Sequence, residues 1–310
     1  MSVFTPLRAW TARILRAAPL IAIDLHAQTA PSPTQPVAAP PQSTEPFTVR
    51  VVGKGAPMIL IPGLSSTGDV WNETVSALCT NYQCHVLSLA GFGGTPAVMA
   101  DSTWLPRMRD AVIAYARAQR LNKPVIMGHS LGGYLALDIA ATAPDLPRAI
   151  INVDGMPFLP GASIPGSTVE SVRPMAQQMR EQIRKPSAQN NRMMDAQVRT
   201  MVRDTTKFAL IRTMMNTSDP ATVAEARYSL YTTDIRPSMT RVSAPVLNLH
   251  AWVAYKGYGQ NRERLEPMLA NQYAGLKNQT TRISDTAYHF IMFDEPAWML
   301  QEVRAFLAAH

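Results

Sequence analysis

The stretch VIMGHSLGGYLAL, residues 125–137, constrains the fold more than any other part of the chain. A short apolar run reaches Gly128-His129-Ser130-Leu131-Gly132 and passes directly into an alanine- and leucine-rich helical pattern. Glycines two positions either side of the serine let strand and helix backbones approach without a Cβ clash, which is what a tight, strained strand-to-helix turn requires. Ser130 is therefore the candidate nucleophile. The plainer alternative is a strand-to-helix turn without chemistry.

The rest of the chain repeats the same alternation from Phe47 onward. Runs of β-branched and apolar residues at 47–52, 58–61, 85–89, 125–128, 149–153, 245–249 and 280–284 are the expected strands. Helical patterns fall near 70–79, 102–120, 131–142, 261–275 and 296–309. This rhythm predicts an α/β domain over residues 47–310, with a mostly parallel central sheet flanked by helices. Only the interval of about 155–240 interrupts it, with amphipathic segments and no convincing strand, and a helical cap insertion is expected there. The interval holds nine of the seventeen methionines, among them Met175, Met179, Met193, Met194, Met201, Met214 and Met215. Methionine fits irregular apolar shapes, so these side chains suit either the lining of a pocket or the small core of the cap itself.

The first 45 residues read as address and tether. Arg8, Arg13 and Arg16 precede the apolar AAPLIAI, and Ala27 offers a small residue for cleavage, so residues 1–27 are expected to be a signal peptide. Residues 28–46 form a proline-rich linker with too little apolar surface to pack. A periplasmic or secreted protein is the expectation, with a cytoplasmic protein carrying a ragged N-terminus as the alternative. Loss of Arg8, Arg13, Arg16 and Asp24 would lower the formal net charge from +7 to +5. The positive residues are scattered without a basic run, which argues against a nucleic-acid partner. No apolar stretch approaches the roughly 20 residues of a membrane-spanning helix, so no stable membrane insertion is expected. Cys79 and Cys84 admit two readings, a local disulfide in an oxidising compartment or two half-buried thiols. With His85 they lack the usual spacing of a metal site.

A serine hydroxyl needs a base within hydrogen-bond reach. Of the six histidines, His26 belongs to the leader, His310 is terminal, His85 should begin a strand, and His129 should point away as the second residue of the motif. His250 follows an expected strand and stays possible. His289, in DTAYHFIMFDEP, lies in a loop between the last strand and the last helix and is the best base.

The order of these pieces resembles the α/β-hydrolase fold family of serine esterases and lipases. IPGLSSTGDVW follows an early strand, LAGFGG the next, then come GHSLGG, a helical insertion, and a late histidine before FDEPAWMLQEVRAFL. The resemblance covers residues 47–310. It implies that the backbone N–H groups of Leu64 and Leu131 bind the developing oxyanion, where loss of one donor typically costs about 3 kcal/mol. Relatives often carry an aspartate where Ala90 stands. They also commonly carry the acid after the strand that precedes the histidine strand, yet residues 247–261 contain no carboxylate.

Asp154, in INVDGMPF, is the candidate acid instead. One helix and one strand separate it from Ser130, so it should emerge on the same carboxyl edge of the sheet, one strand spacing of roughly 4.8 Å away. An Asp-Gly turn without chemistry is its alternative role. Glu263 and Asp234 are reserves, and Asp285 is a weaker one.

Together these readings predict a serine hydrolase that cleaves small to medium apolar carboxylic esters through an acyl-enzyme, with Ser130, His289 and Asp154 as its catalytic residues. The partner is a small-molecule ester, and neither cofactor nor metal is needed. Hydrolysis of an amide, lactone, thioester or carbon–carbon bond is the enzymatic alternative, and a weakly active ligand-binding protein the other. Nothing in the sequence sets an oligomeric state.

Overall fold

Each apolar run named above becomes a strand: β1 Phe47–Val52, β2 Ala56–Ile61, β3 Tyr82–Leu89, β4 Val125–His129, β5 Ala149–Val153, β6 Val246–Ala251 and β7 Gln279–Ser284. In this computed structural model the described residues are 46–310, except 99, 186, 187, 254, 255, 257, 258 and 260, and the side chains of 188–194. The expected signal peptide and all of the linker but Pro46 lie outside the described residues. So do the side chains of Met193 and Met194.

The strands form one sheet in the order β1-β3-β2-β4-β5-β6-β7, with β1 antiparallel to β3 and every other pair parallel. Five strands differ from the sequence expectation at one or both ends, and two of the differences move a histidine. β3 starts at Tyr82 rather than His85 because Tyr82 pairs with Ala56 and Cys84 with Val52, so His85 lies mid-strand, its ring 2.7 Å from the Tyr115 hydroxyl. β6 runs on to Ala251 because His250 and Ala251 pair with Ile283 and Ser284. His250 is therefore inside a strand and not after one.

Because side chains alternate along a strand, the sheet feeds two cores. Ile59, Ile61, Leu87, Ile126 and Ile150 face α2 (Trp104–Ala118), α3 (Leu131–Thr142) and α8 (Arg262–Gln272). Met58, Leu60, Val86, Met127, Ile151 and Leu249 face the core shared by α1 (Asn72–Leu78), the short α9 (Ile291–Asp294) and α10 (Pro296–Ala309). Strands buried on both faces read as continuous apolar runs, which is why the middle of the sheet was legible in sequence. Helix α3 is buried from Leu131 to Ala141 and apolar on most of its surface, as its place behind the central strand demands, and its one charged residue, Asp138, pairs with Arg109 of α2 at 3.3 Å.

Between β5 and β6 the chain makes α4 (Val169–Arg184), α5 (Ala188–Met201), α6 (Phe208–Thr217) and α7 (Pro220–Thr232), with no strand among the described residues. On α7 the carboxylate of Glu225, 1% exposed, takes ion pairs from Arg180 and Arg184 of α4. The insertion is tied to loops at the carboxyl edge of the sheet. Gly94 N–H donates to Thr217 O at 3.0 Å, Gly93 N–H to Ser218 Oγ at 2.9 Å, and Asp219 N–H to Gly91 O at 2.7 Å. Its methionines divide by neighbour rather than acting as a set. Met214 is buried in the core that contains Trp71 and Phe290, Met156 and Met239 join the opposite core, and Met175 is exposed. No helix among the described residues is long and apolar enough to cross a membrane.

Cys79, which caps α1, is disulfide-bonded to Cys84 in β3, which decides between the two cysteine readings. A loop this short removes little unfolded-state entropy, worth about 2 kcal/mol. Replacing both cysteines by serine should lower the melting temperature by about 5 °C in calorimetry. An unchanged melting temperature would mean that this bond does not restrain the unfolded chain.

Candidate active site

Parallel pairing runs level to the ends of β4 and β5, where His129 stands opposite Val153. The next residue on each strand is Ser130 and Asp154, and the Ser130 N–H donates to Val153 O at 2.8 Å. Both residues have positive φ, 54° for Ser130 and 53° for Asp154, where side chains other than glycine are strained. The Ser130 turn is possible because its neighbours lack a Cβ. One built on Gly128 would lie 2.0 Å from Gly132 O, and one on Gly132 would lie 2.2 Å from Ile61 O.

Asp154 is buried, yet both carboxylate oxygens are used. Oδ2 lies 2.6 Å from His289 Nδ1, and Oδ1 lies 3.1 Å from His250 Nδ1 and accepts the Ala251 N–H at 3.3 Å. Burial alone would raise this carboxyl. The hydrogen bonds and charges of the two imidazoles outweigh it and hold Asp154 well below the usual carboxylate range. The reserve acids are engaged elsewhere: Asp234 with Arg236 at 2.6 Å, Asp285 with Arg262, and Glu263 in the first turn of α8.

His289 is 18% exposed at its side chain, and its loop is held from both sides. Tyr288 N–H donates to Asp294 Oδ2 at 2.8 Å, and the same carboxylate accepts the Arg203 and Asp204 N–H groups of the insertion. Ser284 Oγ donates to Glu295 at 2.6 Å and accepts the Ala287 N–H at 2.9 Å. Asp294 and Glu295 of the FDEP stretch thus shape the loop that carries the histidine. Phe290 N–H donates to Met201 O at 3.0 Å, a further tie from this loop to the insertion.

His129 does not simply point away. Its ring lies 4.6 Å from the ring of His289, and its Nε2 lies 3.0 Å from His289 O, so it joins the serine turn to the histidine loop. Complete burial, with repulsion from His289 added, pushes its pKa down to about 3. It therefore stays neutral and donates through Nε2.

The IPGLSS loop lies beside the serine. A Cβ on Gly63 would stand 3.3 Å from Ser130 Cβ and 2.9 Å from His129 Nδ1. Leu64 follows directly, and a turn closed by Ser66 N–H to Gly63 O at 3.2 Å fixes its peptide. Leu131 is the first residue of α3, so its N–H has no acceptor within the helix. The two expected oxyanion donors thus belong to the residue after Ser130 and to the residue after Gly63, whose backbone lies against the serine. Among the described residues no group of three histidine, cysteine, aspartate or glutamate side chains is placed to hold a metal ion.

A mostly parallel sheet with a serine on the strained turn after its central strand, and an aspartate and a late histidine meeting beside it, defines the α/β hydrolases as a class. The model of the Alpha/beta hydrolase family matches residues 58–302, and the chain belongs to that family. It is 33% identical over 105 residues to the pimeloyl-acyl-carrier protein methyl ester esterase of Aliivibrio salmonicida, a match covering 34% of this chain and 38% of the relative. Against the enzyme of the same description from Nitrosomonas europaea, identity is 26% over 207 residues, or 65% and 79% of the two chains. The chain thus spans about two fifths of the length of the first of these relatives. A thermophilic esterase from Thermogutta terrifontis superposes with a TM-score of 0.67 at 21% identity, over 85% of this chain and 93% of that one. The enol-lactonase from Burkholderia xenovorans LB400 gives 0.61 at 17%, over 84% and 96%. At such identities the likeness is one of fold.

Sequence reasoning missed the contact of His250 with Asp154 and the tie made by His129. Neither has a local signal, since each joins residues roughly a hundred or more positions apart.

The depressed pKa of His129 has a thermodynamic consequence. Its unfolded value is about 6.5, so the stability it confers is complete above about pH 6.5 and is lost as pH falls toward 3. Urea unfolding should therefore show a loss of about 2 to 3 kcal/mol from this group by about pH 4.5. His129→Gln should flatten that decline, and an identical pH dependence in the variant would contradict the assignment.

Proposed function

We propose that this chain is a serine hydrolase that cleaves carboxylic esters of small to medium apolar substrates through an acyl-enzyme. The observation that carries the reading is the buried Asp154 carboxylate, 2.6 Å from His289 Nδ1 and one strand position from the strained Ser130. Asp154 fixes the proton of His289 on Nδ1, which leaves Nε2 free to act as the base. His289 takes the Ser130 proton as Oγ attacks the ester carbonyl, and the Leu64 and Leu131 N–H groups receive the oxyanion. His289 then returns the proton to the leaving alcohol. Water, deprotonated by the same imidazole, releases the acid and restores the serine. These steps call on no metal or cofactor.

An ester substrate is supported by the methyl ester esterases among the relatives. The apolar preference is supported by the core that runs from Trp71 and Phe290, next to His289, into Ile211, Met214 and Val202 of the insertion, read here as a cap. A missing carboxylate after β6 would favour the ligand-binding alternative, and Asp154 against His289 speaks against it. The expected leader and the Cys79–Cys84 disulfide together support export to the periplasm or beyond.

A fluorophosphonate probe should label Ser130 of the folded protein, with parallel loss of short-chain nitrophenyl ester turnover. Ser130→Ala should abolish both. Asp154→Asn should lower kcat about ten-thousand-fold while the fold survives. Absence of labelling would refute the serine mechanism, and near-normal turnover of the asparagine variant would move the acid elsewhere.

A further inference from the structure

Asp154 is shared by two imidazoles, and the proposed reaction uses only His289. The other, His250, is fully buried in β6, the strand after which relatives commonly carry the acid. Its Nδ1 faces Asp154 Oδ1 at 3.1 Å, and its Nε2 lies 3.0 Å from Tyr273 Oη, at the end of α8.

The hydrogens around this ring can be counted. Nδ1 faces an ionised carboxylate and must carry one. Tyr273 owns a single hydroxyl hydrogen, which it keeps because burial raises its pKa well above the ordinary value. Tyr273 Oη lies 2.5 Å from Gly155 O, an atom that can only accept, so that hydrogen lies between them. Asn152 Oδ1 accepts the Gly155 N–H at 3.0 Å, so its amide nitrogen faces three acceptors with two hydrogens, Gly155 O, Asn248 Oδ1 and Tyr273 Oη, each at 3.0 Å, while Met156 Sδ lies 3.9 Å from Tyr273 Oη. None of these groups brings a hydrogen to the His250 side of Tyr273, and the 2.5 Å approach to Gly155 O is the contact that holds the tyrosine's own. The remaining contact, between Tyr273 Oη and His250 Nε2, then needs a hydrogen from the histidine. Both ring nitrogens are donors.

We propose that His250 is an imidazolium, the buried counter-ion that keeps Asp154 ionised and aimed at His289. A lone carboxylate in a dry interior is costly, and a hydrogen-bonded cation beside it offsets that cost. His250 would act through Asp154 and is a positioning residue. The titratable groups facing it are Asp154 from the end of β5 and Tyr273 from α8. Those facing His289 are Asp154 and the neutral His129 from β4.

The assignment of a role rests on Asp154 serving as the acid, whereas the proton count does not. The first test is therefore a long-range proton–nitrogen NMR spectrum of intact protein labelled with nitrogen-15 in its histidines, with His250 assigned by its loss in His250→Asn. At neutral pH the His250 ring should carry hydrogens on both nitrogens. A bare nitrogen on His250 would overturn the proposal. His250→Asn also preserves a donor toward Oδ1 while removing the charge. It should lower kcat about 10-fold with KM within about 2-fold, and His250→Leu, which removes the donor too, about 100-fold. In His250→Asn the Asp154 charge acts on His289 alone, so the acid limb of kcat/KM should move to higher pH. An unchanged kcat and pH profile would deny His250 a positioning role. Failure of the esterase reading would appear instead in Asp154→Asn, with the NMR result unaffected.

Discussion

The level pairing of β4 with β5 governs the geometry of this protein. Because His129 stands opposite Val153, the next residues, Ser130 and Asp154, leave the sheet at the same height and one strand apart. Each is forced into positive φ as the chain turns away, and each is held by a backbone hydrogen bond to the neighbouring strand, Ser130 to Val153 O and Asp154 to Leu249 O. A shift of one residue in this register would send the side chain of the slipped strand to the wrong face and part Ser130 from Asp154. The five interior strands are packed on both faces against two cores of differently shaped side chains, which makes such a shift expensive. The precision of the site is thus borrowed from the packing of the whole sheet.

The second constraint is electrostatic. A carboxylate buried as deeply as Asp154 survives in its charged form only if its oxygens are satisfied, and three donors supply that. The polar centre extends through His250, Tyr273, Asn152 and Asn248, all fully or nearly fully buried. A network of this kind is stabilising only when every member is paired, so it also fixes the rotamers around the acid. His129 adds a neutral, buried strut on the other side of His289.

The helical insertion packs onto the loops around the site and supplies none of Ser130, Asp154 and His289. It is fastened to three separate loops, those carrying Gly91–Gly94, Thr67 and Phe290, so its position follows the loops that surround Ser130. Met214 is the shared element, packed with Trp71 and Phe290 and accepting the Thr67 N–H through sulfur at 3.4 Å. An unbranched thioether tolerates the irregular space where the insertion meets the loops, which gives one of the nine methionines a specific reason to be there.

The sequence by itself determined the strands, the helices flanking the sheet, the serine on its turn and the late histidine. The elements and the serine turn are written in local periodicity and glycine spacing within a few residues, and the histidine in its place between the last strand and the last helix. It also pointed to Asp154, through the count of one helix and one strand from Ser130. Only the tertiary structure decided that Asp154 meets His289, that His250 occupies its other oxygen, that His129 braces the histidine loop, and that the methionines of the insertion divide between two cores and the surface. Those contacts join residues far apart in the chain and depend on strand order, register and burial. Such quantities exist only once the sheet has closed around its core.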